Sequence, residues 1–182
     1  GQNLTGNSLK VERGTTVQLC ASCNKDAEVT FSIKQDGATT PITLSGNDVK
    51  YTTVGTSTTL VYVAEYIFND VGSYTISFTA AKDGYTVQST ERKLTVTKLN
   101  LSNAEITFRS SNESTYEPYR STTTAPGFTV TYNGKTLKLG VDYTASGTAS
   151  SAGVSTQTLT IKAVEGSDYT GSKTAEWRIV PH

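Results

Sequence analysis

Apolar and polar residues alternate along most of this chain. Around Asn133-Gly134, Phe128, Val130 and Tyr132 alternate with Thr129 and Thr131, and Leu137 and Leu139 flank Lys138. Asn-Gly tolerates φ > 0 at both central positions of a type I′ turn, so residues 128–139 are predicted as a hairpin. Gly140 breaks the run, and Asp142-Tyr143 opens the next strand. The same period of two recurs at Val17, Leu19 and Ala21, at Val29, Phe31 and Ile33, and at Tyr74, Ile76, Phe78 and Ala80. It returns at Leu159, Ile161 and Ala163, and at Ala175, Trp177 and Ile179. Turn pairs such as Arg13-Gly14, Asp36-Gly37 and Asp83-Gly84 separate these runs at roughly 8–12-residue intervals, the spacing of a β-sandwich. No stretch sustains a period of 3.6, so no long helix is predicted. Residues 60–67 are apolar on both faces, which marks a central strand or one covered by a partner domain.

The alternation falls into two units. Residues 1–98 read as seven or eight strands closed by Leu94 and Val96, and residues 99–182 as a second set that ends on Trp177 and Ile179. Residues 98–100 hold neither Gly nor Pro, so the joint is short and its motion restricted. The fold class predicted is all-β, as two tandem immunoglobulin-like β-sandwiches. In the first unit Asp70-Val-Gly72-Ser-Tyr74 matches a corner in which a Tyr hydroxyl ties the backbone just upstream. Ile76 then stands where such domains carry the second core Cys, with Ala21 opposite it and Phe31 or Ile33 in place of the core Trp. The same D-x-G-x-Y string also reads as an ordinary strand start.

Residues 101–180 resemble the immunoglobulin-like repeats found in tandem in bacterial cell-surface and secreted proteins. The matching positions are Pro126, Phe128 to Val130, Gly134, Leu137, Gly140, Asp142-Tyr143, Gly153, Leu159, Ile161, Gly166, Tyr169 to Gly171, and Trp177 to Ile179. Ser167-Asp-Tyr169 departs from the Gly-Asn-Tyr usual there. The resemblance implies a non-catalytic extracellular spacer or adhesive module, with host matrix or glycans as partners and neighbouring domains in a longer chain. The other reading is a carbohydrate-binding accessory region of a secreted hydrolase, which an exposed aromatic platform with paired polar groups would favour.

Charge and chemistry narrow the classes further. Lys+Arg and Asp+Glu are both 16, so the net charge is zero. Nucleic acid and anionic membrane both call for a basic surplus. Leu, Ile, Val and Phe make up roughly a fifth of the residues, near the lower limit for a folded chain. No run reaches the ~20 apolar residues of a membrane-spanning helix. With Gly1 first and no Met, the chain reads as a processed or engineered fragment. His182 is the only histidine and is terminal, which argues against Ser-His-Asp and Cys-His catalysis. No Asp/Glu/His spacing points to a metal or cofactor. Single carboxylates such as Asp70, Asp142 and Asp168 read as turn caps.

Two features remain. Cys20 and Cys23 are the only cysteines. In an oxidising compartment a local disulfide is expected, provided the chain turns at Ala21-Ser22; the alternative is two free, half-buried thiols. Residues 110–125 form a polar stretch longer than a simple connection needs. Tyr116, Tyr119 and Arg120 are its candidate binding residues, since they offer flat contact area and a planar donor fork. The competing account has this stretch cover a sheet edge. Most other tyrosines, including Tyr51, Tyr62, Tyr74, Tyr132, Tyr143 and Tyr169, are expected at core edges.

Overall fold

The computed structural model describes residues 2–3, 8–24, 26–53, 59–109, 116–118, 125–151 and 153–180, with backbone alone at 2–3, 53, 59 and 116–118. The chain is all-β and divides into two compact units, Gly1–Thr97 and Lys98–His182. The first holds β1 (Gln2–Asn3), β2 (Ser8–Glu12), β3 (Thr15–Asn24), β4 (Glu28–Gln35), β5 (Ile42–Leu44), β6 (Lys50–Thr53), β7 (Thr59–Phe68), β8 (Gly72–Lys82), β9 (Tyr85–Gln88) and β10 (Arg92–Thr97). The second holds β11 (Leu99–Asn100), β12 (Glu105–Arg109), β13 (Tyr116–Pro118), β14 (Gly127–Tyr132), β15 (Lys135–Thr136), β16 (Tyr143–Ser146), β17 (Ser155–Ala163), β18 (Tyr169–Thr170) and β19 (Ser172–Val180).

The first unit is two sheets around one core. One runs β1-β3-β7-β6; the other runs β2-β10-β8-β4-β5, with β9 also on β8. The period of two decides what each strand buries. Val17, Leu19 and Ala21 of β3 meet Val29, Phe31 and Ile33 of β4, Tyr74 and Ile76 of β8, and Leu94 and Val96 of β10 in a single apolar cluster. Ala21 and Ile76 are both buried there, so apolar side chains fill the place of a cross-sheet bridge. β7 lies between β3 and β6, a central strand as expected. Its inner Leu60, Tyr62, Ala64 and Phe68 are buried, while Ile67 on the outer face is 51% exposed.

Local chemistry fixes the corners. Asn133 and Gly134 take φ of 47° and 79°, so the expected I′ hairpin forms, and the turn at Asp83 and Gly84, with φ of 50° and 80°, is of the same kind. The Tyr74 hydroxyl donates to the Asp70 carbonyl at 2.8 Å, which is the corner tie the sequence pointed to. The first unit has more strands than expected. The segment opposite β8 is split at Ser89–Glu91 into β9 and β10, and β1 adds a short parallel pair with β3.

The second unit packs β12-β14-β15 and β13-β19-β17-β16, with β11 on β18. Leu159 and Ile161 of β17 and Trp177 and Ile179 of β19 are all buried. The Trp177 indole N–H donates to the Gly147 carbonyl at 3.1 Å, which settles the one polar atom of that ring. Tyr132 and Tyr169 meet edge-on at 5.7 Å. The hairpin after Asn133-Gly134 corrects the sequence reading. Its returning strand stops at Thr136, because the Asp142 carboxylate accepts from the Lys138 N–H at 2.8 Å and the Lys138 carbonyl accepts from Asp142. That cap folds residues 138–142 into a loop around Gly140. Leu137 stays buried and Leu139 is left 60% exposed.

Candidate functional site

The candidate binding stretch, residues 110–125, is not a simple loop. Tyr116–Pro118 forms β13 and runs parallel to β19, with Tyr116 beside Arg178 and Pro118 beside Val180. Pairing there covers the outer edge of β19, an edge that would otherwise be open. Pro118 ends the pairing, as suits a residue without a backbone donor. Tyr119 and Arg120 lie outside the described residues, as does Glu113. The backbone therefore anchors one part of the stretch as a sheet strand, the function foreseen in the competing account.

The cysteine expectation needs correction. Both thiols are free. β3 runs unbroken from Thr15 to Asn24, with no turn at Ala21-Ser22. Three residues of extended chain separate the α-carbons by roughly 10 Å, beyond the ~7 Å a disulfide can span. An odd offset also puts the two side chains on opposite faces. Cys20 pairs across the ladder with Val63 and Cys23 with Leu60. Cys20 is exposed and Cys23 half-buried, and loss of water around each thiol pushes both upward from their ordinary titration range.

Most tyrosines serve the core. Tyr62, Tyr74, Tyr132, Tyr143 and Tyr169 are buried. Burial is the main reason the phenols of Tyr62, Tyr74 and Tyr143 titrate above their usual value. Tyr51 departs from expectation: it is 67% exposed and leans on Tyr62 from the outer strand, with ring centroids 5.9 Å apart. Asp142 is a turn cap, as read from the sequence. Among the described residues, no group of three or more His, Cys, Asp and Glu could hold a metal ion. No helix of the described chain is long and apolar enough to cross a membrane.

A cleft of 660 Å³ that the sequence reading did not single out opens at one end of the first unit. Cys23, Ala27, Phe78, Ala80, Tyr85 and Val87 supply its apolar wall, and Ser22, Asn24, Lys82 and Asp83 its polar rim. Tyr85 is 80% exposed and Val87 66%. The signal was present in the sequence: Tyr85 and Val87 alternate just after Asp83-Gly84, in phase with Phe78 and Ala80. They look like core residues, and the sequence does not disclose that, among the described residues, no opposing strand buries them.

No protein-family model matches the chain, and no curated protein does. Among solved structures, one described as "Anomalous substructure of Titin-A168169" is similar at 11% identity and a TM-score of 0.31, over 96% of this chain and 94% of the other. At that TM-score the likeness supports neither a fold nor a function.

Proposed function

We propose that this chain is a pair of tandem immunoglobulin-like β-sandwich modules of a bacterial surface or secreted protein, acting as a non-catalytic, force-bearing spacer. Its place would be outside the cell, among neighbouring domains of a longer chain. The Tyr74 tie and the buried Ala21 and Ile76 support the immunoglobulin-like reading of the first unit. In the second, the positions that carry the resemblance to bacterial repeats include its buried core: Val130, Leu137, Tyr143, Leu159, Ile161, Tyr169, Trp177 and Ile179. Any adhesive contact with host matrix or glycans through Tyr116, Tyr119 and Arg120 would be made beside the strand that β13 adds to β19.

The observation that carries the spacer reading is the parallel pairing of β2 with β10, in register from Ser8 beside Lys93 to Glu12 beside Thr97. β2 lies near the start of the first unit and β10 ends it. Tension entering before Ser8 and leaving after Thr97 pulls the two strands lengthwise in opposite directions. All hydrogen bonds of the ladder then share the load, whereas a ladder pulled from one end opens bond by bond. Single-molecule stretching tests this. Handles at Gly1→Cys and Lys98→Cys, in a Cys20→Ser, Cys23→Ser background, load the pair in shear. Handles at Glu12→Cys and Lys98→Cys peel it from one end. The shear geometry should need several-fold more force to open the first unit. Equal forces in the two geometries would remove the mechanical basis of the proposal.

A further inference from the structure

The geometry points to a binding surface on the first unit: a slot in which an extended peptide adds as a strand to the outer edge of β9 and lays alternate apolar side chains into the cleft beside Cys23. It is independent of the spacer reading. Two features of the cleft converge on this occupant.

The first is the edge. β9 pairs with β8 alone, and among the described residues no strand lies on its other side. The Lys82–Tyr85 hairpin has a two-residue turn, so its closing pair exchanges both hydrogen bonds. Tyr85 and Val87 therefore turn their amides toward β8. The Ser89 N–H bond to the Phe78 carbonyl, 2.8 Å, keeps the same phase. Thr86 and Gln88 consequently direct their N–H and C=O groups outward, roughly 7 Å apart. A ladder of alternating donors and acceptors at that spacing is matched by another extended backbone. The strand is Tyr-Thr-Val-Gln, with neither the lysine nor the proline that commonly blunts an exposed edge.

The second is the wall. Phe78 and Ala80 of β8 pack at the margin of the core and are only half-buried. Val87 stands opposite Ala80 and Tyr85 opposite Lys82, so the two exposed side chains continue that inner face outward. β3, in the opposite sheet, ends at Asn24, and β1 pairs with it only at Val17 and Gln18. The end of β3 therefore lines the cleft on the β8 side with Cys23 and Asn24, while Tyr85 and Val87 of β9 stay exposed beyond it. A peptide strand bonded to Thr86 and Gln88 would point every second side chain across Val87 into the 660 Å³ cleft, and the others to solvent. The edge sets an extended backbone, and the wall sets small or medium apolar residues at alternate positions.

The test is amide hydrogen exchange of the full chain, free and with a capped eight-residue peptide of alternating threonine and valine with a lysine at each end. The control is the same peptide N-methylated at its threonines, which keeps the side chains but loses the pairing donors. In the free protein, Thr86 and Gln88 amides should exchange within a few-fold of an unstructured chain. Saturating peptide should slow both more than tenfold and slow alkylation of Cys23 in a Cys20→Ser variant; the methylated peptide should do neither. Val87→Lys, at an exposed position, should abolish the effect with unchanged melting. Protection of Thr86 and Gln88 in the free monomer would mean the edge is already filled by this chain, and protection that appears only with dimer formation would mean it is filled by a second copy. Equal action of the two peptides would mean apolar capture without strand pairing. A response to oligosaccharides but not to the peptide would mean a glycan cleft. Each of these four results overturns the proposal.

Discussion

Replacing Tyr74 by Phe isolates the corner tie. The ring is buried and meets Phe68 edge-on at 5.1 Å, and both features survive the change. What disappears is the hydroxyl bond to the Asp70 carbonyl. A net intramolecular hydrogen bond contributes about 0.5–1.5 kcal/mol. Asp70 is exposed, so water can reach the released carbonyl, and the loss should be about 1 kcal/mol rather than the ~1–3 of a stranded acceptor. For a unit of this size that lowers Tm by roughly 4–8 °C. A second consequence concerns pH. Burial, and then the charge of Asp70, raise the Tyr74 pKa in the folded state. A raised folded pKa means that its contribution is complete below the unfolded value of about 10 and is lost as pH climbs through the folded one. Tyr74→Phe should therefore show a shallower fall in stability above pH ~10 than the parent, with Tyr62 supplying the remaining slope. Urea unfolding followed by tyrosine emission reads both units, five of the ten tyrosines lying in each, so the transition that tryptophan emission does not share is that of the first unit. Trp177, the only tryptophan, reports the second as an internal control. Equal stability at neutral pH, with the same slope at high pH, would refute the corner argument.

Further outcomes follow from the same geometry. A Cβ at Gly147 would sit 1.9 Å from the Thr158 carbonyl oxygen at φ +69°, so Gly147→Ala must displace backbone as well as the Trp177 indole bond. Left-handed strain alone costs about 1–2 kcal/mol, and with the clash the loss should exceed ~3 kcal/mol, read as early unfolding of the Trp177 signal. Intact mass under non-reducing conditions should show both thiols free, with Cys20 alkylated before Cys23 and both faster as pH rises; a mass lower by two hydrogens would contradict the continuous strand. Tyr116→Ala with Tyr119→Ala should destabilise the second unit by over ~1 kcal/mol, read as a lower melting temperature, and leave adhesion to glycans or matrix unchanged. Lost adhesion at unchanged melting would instead establish the binding role.

Much of the fold was legible because local chemistry and long-range packing agree. Asp83-Gly84 and Asn133-Gly134 force their turns whatever surrounds them, and Val17, Leu19 and Ala21 alternate because one face of β3 is buried. Tyr74 was legible through its distance from Asp70. The misreadings share a cause: they depend on which strand lies alongside. For Tyr116–Pro118 the sequence leaves the edge-covering account open beside the binding one, since that string does not say which strand it meets. Leu139 continues the apolar alternation, yet the Asp142 cap, a contact four residues away, ends the strand before it. The Cys20–Cys23 spacing permits a bridge in a turn, and pairing with β7 straightens the segment. The Tyr85–Val87 alternation is real, but among the described residues no strand lies opposite to bury those side chains.

The central claim, two self-sufficient modules in one chain, is tested most directly by calorimetry of residues 1–97, residues 98–182 and the intact chain. Each half should give one cooperative transition, with enthalpies of about 70 and about 60 kcal/mol near 60 °C from 0.7 kcal/mol per residue. The intact chain should show both, each within a few degrees of the isolated half. Failure of both halves to melt cooperatively, with a single transition in the intact chain, would contradict the account.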